Sequence, residues 1–201
     1  MKEPKIRFKG FRGEWEEAPF SETFDYLKNN SLSRAELSDG GVVMNIHYGD
    51  VLIKYGECVD VSKEVKTFVK EEYVAKKLHQ SCAITNGDII FADAAEDNTV
   101  GKCSEIIAKE DDAIVSGLHT IACRPKKDFA PMYLGYYLNS NAYHDQLLPH
   151  IQGTKISSIS KKAISLTEIS SPIDKNEQRA IASYFQRLDS LINRPQRRLN
   201  R

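Results

Sequence analysis

The chain has 201 residues, of which 41% are hydrophobic, 28% charged and 9% aromatic. This composition is typical of a folded globular protein and excludes a disordered chain. No apolar run approaches the ~18 residues needed to cross a bilayer, so we expect a cytoplasmic protein without a membrane segment. The four cysteines stand at least 20 positions apart, which argues against a disulfide framework or a zinc knuckle and predicts no metal site.

Charge is distributed unevenly along the chain. The 28 basic and 28 acidic residues cancel, which by itself argues against a nucleic-acid partner. Residues 151–201, however, hold ten Lys or Arg against four acids, a balance of +6 that leaves −6 for residues 1–150. This asymmetry is compatible with one positive face, and equally with a solvated helix and tail.

The first two-thirds of the chain is predicted to form short strands. A motif of Gly-Asp followed by an apolar run occurs at residues 48–53 and again at residues 86–91. Glycine and aspartate favour a tight turn, so we expect each apolar run to enter a buried strand. Further strands are predicted at residues 41–46, 65–69, 104–108, 113–115 and 119–123. The pattern favours a compact, mixed or mostly antiparallel sheet, or a barrel-like one.

After Pro125 the pattern changes to helices. Helices are predicted at residues 131–138 and 142–148, followed by a polar loop at 151–160 and a short strand at 163–169. The clearest helix covers residues 174–193, with Asp174 as N-cap, Glu177 at the capping-box position, and Pro195 ending it. Its apolar stripe either packs on the domain or forms a coiled-coil seam. The stripe consists of Ile181, Phe185, Leu188, Leu191 and Ile192.

Several motifs occur in a fixed order along nearly the whole chain. They are PKIRFKGF at residues 4–11 before Trp15, GDIIFADAAED at 87–97, SGLHT at 116–120, QGTKISSISK at 152–161, and EQRAI at 177–181 before Phe185. Each motif alone is weak, but together they resemble the specificity subunits of type I restriction-modification systems.

The resemblance implies an α+β fold, with a DNA target-recognition domain at residues 1–172 and a spacer or dimerisation helix and tail at 173–201. It implies a subunit without catalysis or cofactor that recognises half of a split double-stranded DNA target and docks the methyltransferase and restriction subunits. Family members usually carry two recognition domains and two helices. The chain is therefore either a half-subunit that forms a homodimer through its helix or part of a longer polypeptide.

Candidate DNA contacts follow from side-chain chemistry. Lysines neutralise phosphates, hydroxyls donate hydrogen bonds, and glycine allows close backbone approach. Edge contacts to bases need polar side chains on loops. For His119 a structural role is equally compatible with its apolar neighbours, and the acidic residues at 93–97 favour a structural loop over DNA contact. The candidates are Gly153, Thr154, Lys155, Ser157, Ser158, Lys161, Lys162, Asn45, His47, Tyr48 and His119.

The alternatives to a DNA-binding module are an enzyme and a protein scaffold. A methyltransferase needs a Gly-rich cofactor loop and an Asn/Asp-Pro-Pro-aromatic site, and no two prolines are adjacent in the chain. Hydrolase, metalloprotease and phosphate-loop motifs are also missing, so catalysis is not expected. The scaffold alternative uses the C-terminal helix to bind a partner without DNA.

Overall fold

The computed structural model describes Pro4 and residues 6–192, and the elements within them form a mixed α+β domain. The strands are β1 Trp15–Pro19, β2 Phe24–Tyr26, β3 Leu37–Ser38, β4 Met44–Ile46, β5 Cys58–Asp60, β6 Phe68–Val69, β7 Ile89–Ala92, β8 Ala94–Ala95, β9 Cys103–Ile107, β10 Ile114–Ser116, β11 Thr120–Pro125, β12 Ser157–Ser158 and β13 Glu168–Pro172. The helices are α1 Phe20–Thr23, α2 Tyr48–Ile53, α3 Val61–Glu64, α4 Glu72–Cys82, α5 Tyr133–Leu138, α6 Asn141–His144, α7 Lys161–Ile164 and α8 Lys175–Ile192. Short 3-10 turns lie at Arg34–Glu36 and Leu148–His150.

The central sheet has five strands in the order β2-β11-β7-β9-β5. Its pairs are antiparallel except β5 with β9, which run parallel. A second sheet has the order β10-β4-β6-β3. Two antiparallel ribbons complete the set, β1 with β13 and β8 with β12. The mixed α+β class predicted from the sequence is confirmed.

The central sheet is buried on both faces. Because side chains alternate along a strand, Ile89 and Phe91 of β7 point to one face while Ile90 points to the other. The first face packs against aromatic side chains of α5 and α6, including Tyr133 and Tyr143. Each fully buried large apolar side chain stabilises the fold by roughly 1.5–3 kcal/mol. The apolar run after Gly87 therefore forms a core strand, as predicted.

Two predicted strands are wrong. Residues 48–53 form α2, because the His47 side chain accepts a hydrogen bond from the Gly49 backbone N–H at 3.2 Å and so caps a helix. Residues 163–169 begin inside α7, whose cap is Ser160, accepting from the Ala163 N–H at 3.1 Å. The strand β13 starts only at Glu168. In both places a side-chain cap turned an apolar run into a helix.

The predicted C-terminal helix is confirmed as α8, while Asn193 and the residues after it lie outside the described part of the chain. Asp174 caps it, accepting from the Asn176 N–H at 2.8 Å. The capping-box role predicted for Glu177 is not observed. Its buried carboxylate instead accepts two hydrogen bonds from Arg7, both at 2.7 Å.

The first half of α8 packs closely on the domain, whereas apolar side chains at its last turn are exposed. The buried Gln178 accepts from the Ala130 N–H and donates to the Pro172 carbonyl, both at 2.8 Å. Phe185 stacks on Tyr136 with ring centroids 5.6 Å apart. The stripe residues divide accordingly: Ile181 packs against the core, Leu188 is half-buried, and Leu191 and Ile192 are exposed. The first half of the stripe therefore packs on the domain, and the coiled-coil seam stays a prediction for the exposed last turn.

The cysteines are free thiols, as expected from their spacing. Cys82, Cys103 and Cys123 are buried and Cys58 is half-buried.

Candidate nucleic-acid interface

The lysine- and hydroxyl-rich segment at residues 152–162 folds back on itself as a tight hairpin. The backbones of Gln152 and Ser158 exchange hydrogen bonds of 3.0 and 2.7 Å. Gly153 at the turn has φ +104°, and a Cβ there would lie 2.0 Å from the Ile156 carbonyl oxygen. A glycine is therefore required at this position, both for its backbone angle and for the close approach of two chain segments.

Most of the predicted contact residues in this segment are exposed. Gly153, Thr154, Lys155 and Ser158 are exposed and Ser157 is half-buried. The following lysines Lys161 and Lys162, in the first turn of α7, are exposed as well. The segment thus presents cations, hydroxyls and backbone amides together at the surface.

Lys161 is more constrained than the other lysines. Its ammonium donates to the Leu27 carbonyl at 3.3 Å and lies 5.5 Å from the centre of the Tyr26 ring. The Tyr26 hydroxyl donates to the Lys161 carbonyl at 2.7 Å. Burial raises the pKa of Tyr26 to about 12, so this hydroxyl stays protonated and keeps donating near neutral pH. Lys161 therefore has a fixed position, whereas Lys155 and Lys162 project into solvent.

The hairpin joins the domain through a second ribbon. In that ribbon β12 pairs with β8, and the Ile159 N–H donates to the Asp93 carbonyl at 2.9 Å. This pairing brings Ile156 beside residues from three distant parts of the chain. They form a groove of about 550 Å³, which we call the reading groove. Its lining includes Tyr48, Gly49, Leu52, Ile53, Ala94, Ala95, Glu96, Asp97, Thr99, His119 and Ile156.

Aromatic rings cover one wall of the reading groove. The Tyr48 ring lies 4.6 Å from the His47 ring and meets the His119 ring edge-on at 5.2 Å. His119 is half-exposed, and its Nδ1 lies 3.1 Å from an Asp93 carboxylate oxygen. Burial raises the pKa of Asp93, and the neighbouring His119 opposes that rise. The structure therefore brings two predicted base contacts, Tyr48 and His119, to the same groove.

Two other predicted contacts lie inside the fold. Asn45 is fully buried, and its side-chain oxygen accepts from the Asn30 amide at 2.9 Å. His47 is 5% exposed, caps α2, and has its pKa lowered to about 4 by burial and then by the Arg34 charge. A base contact needs an exposed side chain. Asn45 and His47 therefore position the groove rather than line it.

The acidic loop has the structural role that the sequence favoured. The Asp97 carboxylate accepts from the Thr99 N–H at 2.8 Å and from the Thr99 hydroxyl at 2.5 Å. Ile156 and Ala95 also line the groove, and the sequence did not identify them as candidates. No local signal identifies them, because the pairing of β12 with β8 joins segments about sixty positions apart.

The described residues contain neither a metal-binding cluster nor a membrane-spanning helix. Within Pro4 and residues 6–192, no group of three or more His, Cys, Asp or Glu side chains is arranged to hold a metal ion. Over the same residues, no helix has the length and apolar character needed to span a bilayer.

Comparison with known proteins identifies the family. Residues 12–201 match the model of the type I restriction modification DNA specificity domain. None of the curated proteins compared with the chain gives a match.

Three solved structures share the fold. A chain from a study of complex assembly and conformational transition of the type I R-M system is 16% identical with a TM-score of 0.57, and the match covers 95% of this chain and 41% of that one. The type I S subunit from M. genitalium is 14% identical with a TM-score of 0.58, and the match covers 93% of this chain and 42% of that one. The HsdS subunit from Thermoanaerobacter tengcongensis is 18% identical with a TM-score of 0.53, and the match covers 94% of this chain and 40% of that one. The chain thus spans about two-fifths of the length of these structures, and by its match to the family model it belongs to the type I restriction modification DNA specificity domains.

Proposed function

We propose that the chain is a sequence-specific DNA-binding component of a type I restriction-modification complex that recognises one half of a bipartite target and catalyses no reaction itself. The observation that carries the proposal is the exposed hairpin at residues 152–162 beside the reading groove. Phosphate contacts fix a protein on the duplex, while base contacts supply specificity. The hairpin offers a surface for phosphate contacts, and the reading groove offers a surface for base contacts.

The hairpin is suited to the phosphate backbone. Lys155 and Lys162 are exposed cations, and the hydroxyls of Thr154 and Ser158 are exposed donors beside them. Lys161 adds a cation in a fixed position. None of these contacts depends on a metal or a cofactor, so the proposed function requires neither.

The proposed partners include proteins as well as DNA. Leu191 is 58% exposed and Ile192 78% exposed at the end of α8, on the stripe predicted as a coiled-coil seam. We propose that this part of α8 forms the homodimer or spacer contact. The methyltransferase and restriction subunits are proposed to dock on the assembled complex in the cytoplasm. The target-recognition domain then comprises residues 1–172, and the spacer unit residues 173–201.

Binding of the purified chain to random duplex DNA at increasing salt tests the proposal. We expect log affinity to fall linearly with log salt concentration, since bound lysines release counterions. The double variant Lys155→Ala/Lys162→Ala should bind more weakly and lower the slope by about 2, that is, about 1 per lost phosphate contact. The matched control Lys66→Ala/Lys109→Ala removes two exposed lysines outside the hairpin and should leave the slope unchanged.

The same titration discriminates the scaffold alternative. A chain that only binds a protein through α8 gives no salt-dependent DNA affinity. Equal effects of the hairpin pair and the control pair would mean that the hairpin is not the contact surface. Either result contradicts the proposed function.

A further inference from the structure

His119 has a backbone conformation that side chains rarely adopt. Its φ is +53°, one of two positive values at non-glycine residues in the described part of the chain. Strain of this kind persists only where the surroundings enforce it, and it is concentrated at functional sites. Here the Asp93 N–H donates to the His119 carbonyl at 3.0 Å, and the Tyr48 N–H donates to the Leu118 carbonyl at 3.3 Å. These bonds hold the imidazole at the mouth of the reading groove.

The hydrogen bond between His119 Nδ1 and Asp93 determines whether the other ring nitrogen, Nε2, donates or accepts a hydrogen bond. In the tautomer whose Nδ1–H donates to the Asp93 carboxylate, Nε2 carries no hydrogen and is an acceptor. Among Pro4 and residues 6–192, no hydrogen bond to His119 Nε2 is present. In the DNA major groove, an acceptor pairs with an exocyclic amino group, which adenine and cytosine present. Guanine presents only the acceptors N7 and O6 there and is therefore excluded.

Ile156 supplies a second, apolar contact in the same groove. Its side chain is 59% exposed at the tip of the hairpin, although the residues around it are polar. The turn at Gly153 presents it there and tolerates no larger residue. Ile156 and His119 both line the reading groove. An exposed apolar side chain at such a site matches the C5-methyl group of thymine, the apolar feature of the major groove.

We infer that the reading groove recognises an A·T base pair: His119 Nε2 accepts a hydrogen bond from the adenine N6 amino group, and Ile156 packs against the thymine methyl group. The inference rests on the proposed function and adds the identity of one recognised pair. A C·G pair satisfies His119 but has no methyl group for Ile156. Glu96 and Asp97 on the same groove disfavour phosphate, which directs the groove to base edges rather than to the backbone.

The test begins with selection of a sequence from a randomised duplex library by the full chain. In each A·T pair of that sequence, one base is then replaced by an analogue that lacks a single chemical group. Uracil in place of thymine removes only the methyl group, and purine deoxyriboside in place of adenine removes only the N6 amino group. At one pair we expect uracil to weaken binding about 4-fold, equivalent to one buried methyl group, and the purine nucleoside to weaken it about 10-fold.

Protein variants assign each effect to a residue. Ile156→Ala should bind more weakly and lose all sensitivity to uracil at that pair. His119→Gly, which suits the positive φ and removes the ring, should lose the sensitivity to the purine nucleoside at the same pair. The controls Val42→Ala and His79→Ala, both outside the groove, should keep both sensitivities. Thermal unfolding of each variant separates a loss of contact from a loss of folding.

The outcomes distinguish the inference from the proposed function. If a sequence is selected but neither variant removes a sensitivity, or if the sensitivities fall on different pairs, the inference is overturned and the proposed function stands. A His119-dependent cytosine overturns the A·T assignment in the same way. If the library yields no selected sequence, the proposed function fails and the inference fails with it.

Discussion

The two Gly-Asp motifs have the same sequence form and different structures. In the first, Asp50 lies in the opening turn of helix α2. In the second, Asp88 follows a glycine with φ +83° and leads into the core strand β7. The position two residues before the glycine differs as well. His47 caps the helix there, while Thr85 donates its N–H to the Asp88 carboxylate at 2.7 Å and closes a turn.

What the motifs share is the aspartate's partner. Asp50 receives two hydrogen bonds from Arg34, at 2.8 and 2.9 Å, and Asp88 receives two from Arg124, at 2.7 and 2.8 Å. Both aspartate side chains are about 1% exposed. Burial alone would raise the pKa of Asp50, but the bonds from Arg34 and Lys54 outweigh it and hold the pKa below 3.8. The motif thus specifies a buried, arginine-bound carboxylate, and the following apolar run takes whichever structure its neighbours impose.

The largest effect is expected from removing the arginines. Arg124→Ala leaves Asp88 as a buried charge without a cationic partner, which should lower the free energy of unfolding by about 3 kcal/mol. Arg34→Ala should cost about 1 kcal/mol, because Lys54 still pairs with Asp50 at 2.9 Å. Urea unfolding at pH 7 measures both. Equal losses would show that Lys54 does not compensate for the missing arginine at Asp50, contrary to this expectation.

A pH dependence of stability should arise at the first motif, from His47. The pKa of His47 is lowered to about 4, so between pH 6.5 and 4 the unfolded chain binds a proton that the folded chain does not. Stability from this residue is therefore lost as pH falls through that window, by about 2 kcal/mol between pH 7 and pH 5. His47→Asn retains a capping side chain and removes the titration. Its unfolding free energy should fall less on acidification than that of the unmodified chain, and parallel profiles would contradict the assignment.

The smallest predicted effect is a difference in stability between alanine variants at Gly87 and at Gly49. Gly87→Ala forces a side chain into a positive φ and should destabilise the protein by about 1 kcal/mol. Gly49 lies in a helix with no positive φ, and an added Cβ there meets atoms only at 3.5 Å. Gly49→Ala should be neutral or stabilise by up to about 1 kcal/mol. Thermal unfolding of the two variants side by side gives the comparison, and a loss at Gly49 as large as at Gly87 would refute it.

The sequence predicted the elements whose signals are local. The pattern of β7 and the stripe of α8 repeat over enough residues to identify a strand and a helix. The prediction failed where a single side chain decided the outcome. Ser160 caps α7, which takes up the start of the predicted strand at 163–169. Arg7, 170 positions away, binds the carboxylate of Glu177 in place of its predicted capping role. Long-range partners of this kind leave no periodic signal.

The candidate interface was predictable in composition but not in arrangement. The hydroxyls and lysines at residues 153–162 indicated an exposed polar loop. Placing Ile156 opposite His119 required the pairing of Ser157 and Ser158 with Ala95 and Ala94, which joins two-residue strands. Asn45 is among the predicted base contacts, yet β4 places it between Asn30 and Gly117 in the interior. The side-chain types in the sequence indicated DNA-binding chemistry. Which residues line the groove depends on the pairing of β12 with β8 in the tertiary structure.

The packing of Trp15 has a practical consequence for spectroscopy. It is the single tryptophan of the chain, its Nε1 is buried, and it lines the same cavity as Ile181 and Phe185 of α8. Indole emission is sensitive to the polarity around the ring. The protein therefore contains an intrinsic fluorophore at the base of α8, away from the reading groove. A protein that docks along the helix should shift its emission without any label, whereas DNA at the hairpin should leave it unchanged.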